Sequence, residues 1–468
     1  MTDLAASLRA IVGAANVLTD AADKAPYLID WRQRYRGAAL AVVRPGTAHE
    51  MAGVVRACDE AGAPMVPVGG NTGLVGAATP DESGETVVIS TARLNRVRMI
   101  DPANDTITVE AGCILLNVQE AARAQGRLFP LSLAAEGSAT IGGNLATNAG
   151  GTQVLRYGNA RDLTLGLEVV LPSGELWDGL RALRKDNTGY DLKHLFIGAE
   201  GTLGIITAAT LKLYPLPRAQ MTALAAVPSL RAAVDLLNLT RTAAGAELTA
   251  FEIMSRPCIE RAVELLPRLR MPLPTAAPWF ALIELSDHES EAHAQQRLEA
   301  VLADALERAL VGDAVVARSL AEAAGLWAIR EGIPEAHAKA GGNVKHDIAL
   351  PVSAVADFVA NTDAALHARF PWIAPAVFGH LGDGNLHYNM STLPGTPIAK
   401  AFAHEEEINR IVFDAVVARN GSISAEHGIG QLKRAELERR KSAVELALMR
   451  RIKEALDPLN LMNPGKVL

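Results

Sequence analysis

The order of apolar and polar residues follows two rhythms, a period of two and a period near 3.6, and each predicts its own kind of element. Residues 39–44 form a short apolar run stopped by Pro45, and Thr47 is placed to cap a helix through about Ala61. Residues 65–68 predict a strand that runs straight into glycines. Residues 86–90 and 106–110 alternate and predict strands, whereas 114–125 predicts a helix closed near Gly126. Runs 165–171 and 204–214 predict further strands. After the prolines at 215 and 217, alanine rises and glycine falls. Residues 229–244 and 291–310 then predict amphipathic helices between strand-like runs at 280–285, 314–317, 344–350 and 376–378. A charged helix is predicted over 436–456.

This alternation makes the fold class α+β, and the change of character near 216 divides it. At 468 residues the chain exceeds what one hydrophobic core supports. Forty-five basic against 52 acidic residues give a net charge of -7, which argues against a nucleic-acid partner. No apolar run reaches transmembrane length, and the N-terminus MTDLAASLRA has no signal-peptide pattern. Cys58, Cys113 and Cys258 are isolated, which points to a reducing compartment and a cytoplasmic location.

Candidate chemistry begins with the glycines. Four lie within 69–76, directly after a predicted strand, and let backbone N–H groups crowd around an anion. The spacing is neither GxGxxG nor GxxxxGK[ST]. A second loop, 137–151, carries five glycines, two threonines and two asparagines, and a third, GAEGTLGII, opens a strand at 198–206. Three such loops suggest a long cofactor containing polyphosphate.

The second feature is Gly379-His-Leu-Gly-Asp-Gly-Asn-Leu-His-Tyr-Asn389. Asp383-Gly384 predicts a two-residue hairpin turn. Counting outward, Gly382 faces Asn385, Leu381 faces Leu386 and His380 faces His387, with Cβ atoms roughly 5 Å apart. Asn389 would point to the same side. Two imidazoles so placed can share a metal, and Glu426, in Gly421-Ser-Ile-Ser-Ala-Glu-His-Gly-Ile-Gly430, is a candidate third ligand. His427 beside it needs an irregular backbone to enter the same site, which Gly428 and Gly430 allow.

PVGGNTGLVG, GSATIGGNLATNAGG, RYGNARD and GAEGTLGIIT together resemble the vanillyl-alcohol oxidase / p-cresol methylhydroxylase superfamily of FAD proteins over nearly the whole chain. GHLGDGNLH and EHGIG resemble its D-2-hydroxyacid dehydrogenase branch, which includes enzymes for D-lactate and D-2-hydroxyglutarate. The resemblance implies a helical lead-in (1–36), a two-subdomain FAD-binding domain of p-cresol methylhydroxylase type (37–215), an α+β substrate or cap domain (216–420), and a C-terminal segment returning to the flavin (421–468).

It implies cofactor contacts from Val68, Gly69, Gly70, Asn71, Thr72, Gly73 and Leu74. Others fall on Gly137, Thr140, Gly142, Gly143, Asn144, Thr147, Asn148 and Gly151, and on Glu200, Gly201, Gly204, Ile206 and Asn463. Some members tether FAD to a histidine or cysteine; the first two loops contain neither, so noncovalent FAD is expected. His380, His387 and Glu426 are implied to hold a divalent metal, zinc by preference, with His427 the base. Arg330 is implied to grip the substrate carboxylate, Lys345 the distal carboxylate of a 2-hydroxyglutarate, and Asn389 is a further substrate contact. Some members carry threonine four residues after the arginine, where this chain has Pro334.

The expected reaction is oxidation of a small D-2-hydroxy acid, D-2-hydroxyglutarate first, with D-lactate or glycolate as the alternative. No NAD fingerprint is present, so the electron acceptor is expected to be a protein or a quinone; a homodimer is left open. A zinc hydrolase built on the same histidines leaves the glycine loops without a role, and a pure electron-transfer flavoprotein leaves the metal residues without one.

Overall fold

The structure, a computed structural model, describes residues 2–468. The chain divides into two compact units. The first takes the chain up to Gly150, then Gly158–Leu216 and Glu426–Leu468; the second takes Gly151–Tyr157 and Pro217–Ala425.

The first unit holds two sheets. Strands β1 (Val17–Leu18), β2 (Ala41–Val43), β3 (Met65–Val68) and β4 (Val87–Ser90) form one, in the order β1-β2-β4-β3. β2, β4 and β3 run parallel; β2 and β4 are buried along their length, as their Val/Ile runs require, and in β3 only Pro67 is partly exposed. Thr47 caps the helix Ala48–Glu60 by accepting from Glu50 N. β5 (Val97–Asp101), β6 (Thr106–Glu110), β8 (Thr164–Val170), β9 (Leu176–Gly179) and β10 (Ile205–Lys212) form an antiparallel sheet, order β5-β6-β10-β8-β9; β7 (Arg127–Leu128) pairs separately with β11 (Tyr214–Pro215). The chain's final segment returns here, with Met462 bridging Met65 in parallel. Over 436–456 there is not one helix but two, Arg434–Arg440 and Ala443–Leu456. Ser442 and Glu445 form a capping box that starts the second, a signal stronger than the run of charged helix formers around it.

The second unit is built on seven strands: β12 (Ala219–Val227), β13 (Leu248–Ser255), β14 (Trp279–Asp287), β15 (Asp313–Val316), β16 (Asp347–Ala349), β17 (Ile373–His380) and β18 (Asn385–Thr392). Their order is β15-β12-β14-β13-β17-β18-β16, antiparallel throughout. Alternate residues face opposite sides. Phe251, Ile253 and Val377 meet helices Leu230–Ala244, Glu291–Glu307 and Val355–Arg369 in a large apolar cluster. Met254, Ala376 and Phe378 meet helices Arg256–Leu265 and Leu320–Lys339 on the other face. The candidate site side chains of this sheet lie on that second face.

All three cysteines are buried and free. Burial pushes the thiols up, to about 12 at Cys58 and Cys258 and about 11 at Cys113. Among the described residues no helix is long and apolar enough to cross a membrane.

Candidate active site

In the first unit the glycine loops enclose a cleft of about 290 Å³. It is lined by Val68 through Leu74, by Thr140, Gly142, Gly143, Asn144 and Thr147, and by Glu200, Gly201, Gly204 and Ile206, all expected from the sequence. Leu133, Ala134, Ala135 and Thr91 also line it and carried no motif to announce them. Gly137, Asn148 and Asn463 do not line the cleft, and Gly151 lies in the second unit. Asn148 accepts from Arg161 N, and Asn463 ties two cleft loops by donating to Ala77 O and Glu200 O.

Loop-on-loop approach explains the first glycines. A Cβ on Gly69 would sit 2.3 Å from Thr140 Oγ1, and one on Gly70 would sit 2.0 Å from Ser138 O. The cleft wall also carries orphaned polar atoms: Thr140 Oγ1 and Asn144 Nδ2 are buried without a partner. Such atoms cost stability unless a ligand meets them, so the cleft fits a polar cofactor.

Glu426 and His427 line the same cleft, with a Glu426 oxygen 3.7 Å from His427 Nε2. The next residues are held by Glu200, whose buried carboxylate accepts from Ile429 N and Gly430 N at 2.7 and 2.8 Å. Burial raises the Glu200 carboxyl's pKa, and these N–H groups and Lys433 partly offset it. At Gly428 (φ 83°) a Cβ would lie 2.8 Å from Glu200 Cδ, so only glycine serves the bend after His427.

The histidine hairpin of the second unit departs from expectation. His380 pairs with Asn385, Gly379 with Leu386 and Phe378 with His387, so the connection is the four residues 381–384 rather than Asp383-Gly384 alone. Gly382 cannot pair with Asn385 because its N–H donates to Phe251 O on β13, at 3.1 Å, while Gly384 N closes back on His380 O. Leu381 is fully buried. The shift is by two positions, so parity is kept: His380 and His387 are diagonal on one face, with ring centroids 5.6 Å apart.

That face carries a connected polar row. Glu252 on β13 pairs with His380 on β17, and Asp347 on β16 pairs with His387 on β18. His380 Nδ1–H donates to Glu252 Oε1 at 2.7 Å. A carboxylate only accepts, so Nδ1 is the protonated nitrogen of that bond and Nε2 is the one a metal would take. Arg330 Nε donates to the other Glu252 oxygen, also at 2.7 Å, and its guanidinium stacks 4.9 Å above the Phe378 ring. Its terminal nitrogens are left for a ligand. Burial alone would push the Glu252 carboxyl up; the His380 ring and the Arg330 guanidinium outweigh it and hold it at about 2. Asp347 accepts from Asn385 Nδ2 and Ala425 N, which anchors the chain immediately before Glu426. Asn389 Oδ1 accepts from His346 N at 3.0 Å, which fixes the orientation of its amide and of the N–H groups it offers a substrate.

Residues 216–467 match the family of FAD linked oxidases, C-terminal domain, and 39–179 match an FAD binding domain. The chain belongs to the FAD-linked oxidases. It is 41% identical over 463 residues to D-2-hydroxyglutarate dehydrogenase of Xanthomonas citri pv. viticola, covering 98% of this chain and 96% of that one. It is 38% identical to the mitochondrial D-2-hydroxyglutarate dehydrogenase of Bos taurus, over 100% and 83% of the two chains. In architecture it is similar to p-cresol methylhydroxylase (TM-score 0.76, 17% identity, covering 100% of this chain and 96% of that one). The two-subdomain flavin-binding fold with a separate α+β domain is thus that of this FAD-linked oxidase. Glu252 and Asp347 were not singled out from the sequence; the signal for Glu252 was a lone acid inside the apolar strand LTAFEIMS.

Proposed function

We propose that this FAD-linked oxidase is an FAD- and metal-dependent dehydrogenase that oxidises D-2-hydroxyglutarate to its 2-oxo acid. The observation that carries it is Glu252, which binds with one oxygen a histidine of the proposed metal set and with the other the proposed carboxylate-binding arginine. The relatives named for this substrate support the choice of acid.

We assign a divalent cation, zinc first, to His380, His387 and Glu426, a nitrogen and oxygen donor set suited to it. FAD, when bound, supplies the hydride acceptor, and the cation the Lewis acidity that lowers the pKa of the substrate 2-hydroxyl. The residues do the rest. Arg330, fixed by Glu252 and Phe378, presents its terminal nitrogens to the C1 carboxylate and sets the substrate's orientation. His427 takes the hydroxyl proton. Asn389 donates its amide N–H, and Lys345 pairs with the distal carboxylate. Electrons leave to a protein or quinone acceptor, and the reducing interior of the cell is the proposed location.

We propose that FAD is held without a covalent bond, since no histidine or cysteine lies in 67–76 or 137–151. Acid precipitation should release the yellow colour into the supernatant; colour that stays in the pellet would refute it.

The substrate is tested at Lys345. A charge-assisted hydrogen bond is worth roughly 1.5–3 kcal/mol, or about 10- to 150-fold in kcat/KM. Lys345→Ala should lower kcat/KM for D-2-hydroxyglutarate by about that factor and leave D-lactate little changed. Equal losses for the two acids would mean that Lys345 supports the fold, and a wild-type preference for D-lactate would move the enzyme to the other branch.

A further inference from the structure

His337 lies on the helix Leu320–Lys339, seven residues beyond Arg330. Seven residues are two turns, so both side chains project from nearly the same face, about 10 Å apart along the axis. Both are buried, at 6% and 4% exposure. Arg330 is anchored, but His337 is not: Nδ1 and Nε2 are both buried with no hydrogen-bond partner. The chain then turns back just before Asn343 and Lys345, with Gly342 N donating to His337 O at 2.8 Å. Asn343 Oδ1 is also buried and unpartnered. Burial, then the positive charges of Arg261 on the neighbouring helix and of Lys345, hold the His337 imidazole neutral, with its pKa lowered to about 4.

A buried neutral imidazole with no hydrogen-bond partner, within the positive field of Arg261 and Lys345, is poorly placed in the free protein. Its environment, with a buried unpaired donor in a positive field, is suited to an anion that accepts its N–H. We infer that His337 is a specificity-determining residue that donates a hydrogen bond to the distal carboxylate of the substrate, alongside Lys345. The inference rests on the reading of Arg330 and Lys345 as the two ends of the acid pocket. A three-carbon acid held at Arg330 stops short of His337; a longer dicarboxylic acid reaches toward it.

The test uses the FAD-loaded enzyme, a dye acceptor, and D-2-hydroxyglutarate and D-lactate as substrates. His337→Leu should lower kcat/KM for D-2-hydroxyglutarate about ten-fold or more, mainly through KM, and leave D-lactate nearly unchanged. His337→Gln, which restores an N–H donor, should recover part of the loss. The leucine variant should melt no lower than wild type, because an unpaired buried ring has been replaced by an apolar side chain. No loss with the leucine variant, or the same loss for both acids, overturns the inference. Lys345→Ala run in parallel separates the two readings. If it is selective and His337→Leu is not, only the role of His337 falls. If neither variant is selective and wild type prefers D-lactate, the reading of the acid pocket falls with it.

Discussion

His387→Ala is expected to leave the protein yellow and to reduce turnover by about 10²–10³-fold. The flavin should stay because every residue lining the glycine cleft belongs to the first unit, whereas His387 is on β18 of the second. The fold should survive, since the ring is only partly buried and stacks on one side against Phe378, at 4.9 Å. The rate should fall because the side chain lost is a proposed metal ligand. Lewis-acid polarisation is worth several kcal/mol, and each 1.36 kcal/mol is tenfold in rate. Visible spectra, metal content and dye-linked turnover on one preparation check all three points. Chelator-stripped wild type should behave in the same way and recover on adding zinc or another divalent ion. Near-normal turnover in the variant, or in wild type shown to be metal-free, would remove the metal from the mechanism.

The second large effect is expected at Glu252. Removing one partner of a buried ion pair leaves the other charge uncompensated and costs about 3–5 kcal/mol. Arg330 has little access to water, and Glu252 is fully buried with 0% of its side chain exposed. Glu252→Ala should therefore strongly destabilise the second unit, lowering its melting transition by on the order of 10 °C. Glu252→Gln keeps the shape and one acceptor and should be milder in stability. An amide can present N–H as well as oxygen to His380, so that ring's tautomer is no longer enforced. Metal affinity should then fall by about 10- to 100-fold, as for other groups that orient metal-binding histidines. Thermal unfolding and a chelator titration are the measurements. A Gln variant with wild-type metal affinity would show that the Glu252–His380 bond is structural only.

The hairpin shows what spacing can and cannot reveal. Asp383-Gly384 is a strong local turn signal, and local signals cannot report that Gly382 N–H is drawn to Phe251 on another strand. The register moved by two, yet His380 and His387 still share a face, because a period of two returns each side chain to its side of the sheet. The glycine loops were legible because dense glycine has few other uses, and the cleft they line follows from them. Glu252, Asp347 and His337 were hidden because each is a single polar residue whose meaning comes from burial and from partners far along the chain. The split of 436–456 is not visible in the charge pattern, because Ser442 and Glu445 stand among charged helix formers and act together as a capping box.

The interleaving of the two units has a consequence for how the chain is made. Cleft loops near residue 77 are tied to Asn463, 386 residues later, and Gln431 bonds to Gly76 across 355 residues. A nascent chain that has reached Ala425 already contains every residue of the second unit. At that moment it still lacks Glu426, His427 and the Met462 bridge to Met65. The first unit, although it contributes residues well before Gly151, is thus completed on the ribosome only after the second. A stop codon or frameshift after the codon for Ala425 leaves the second unit's sequence intact while removing part of the glycine-lined cleft.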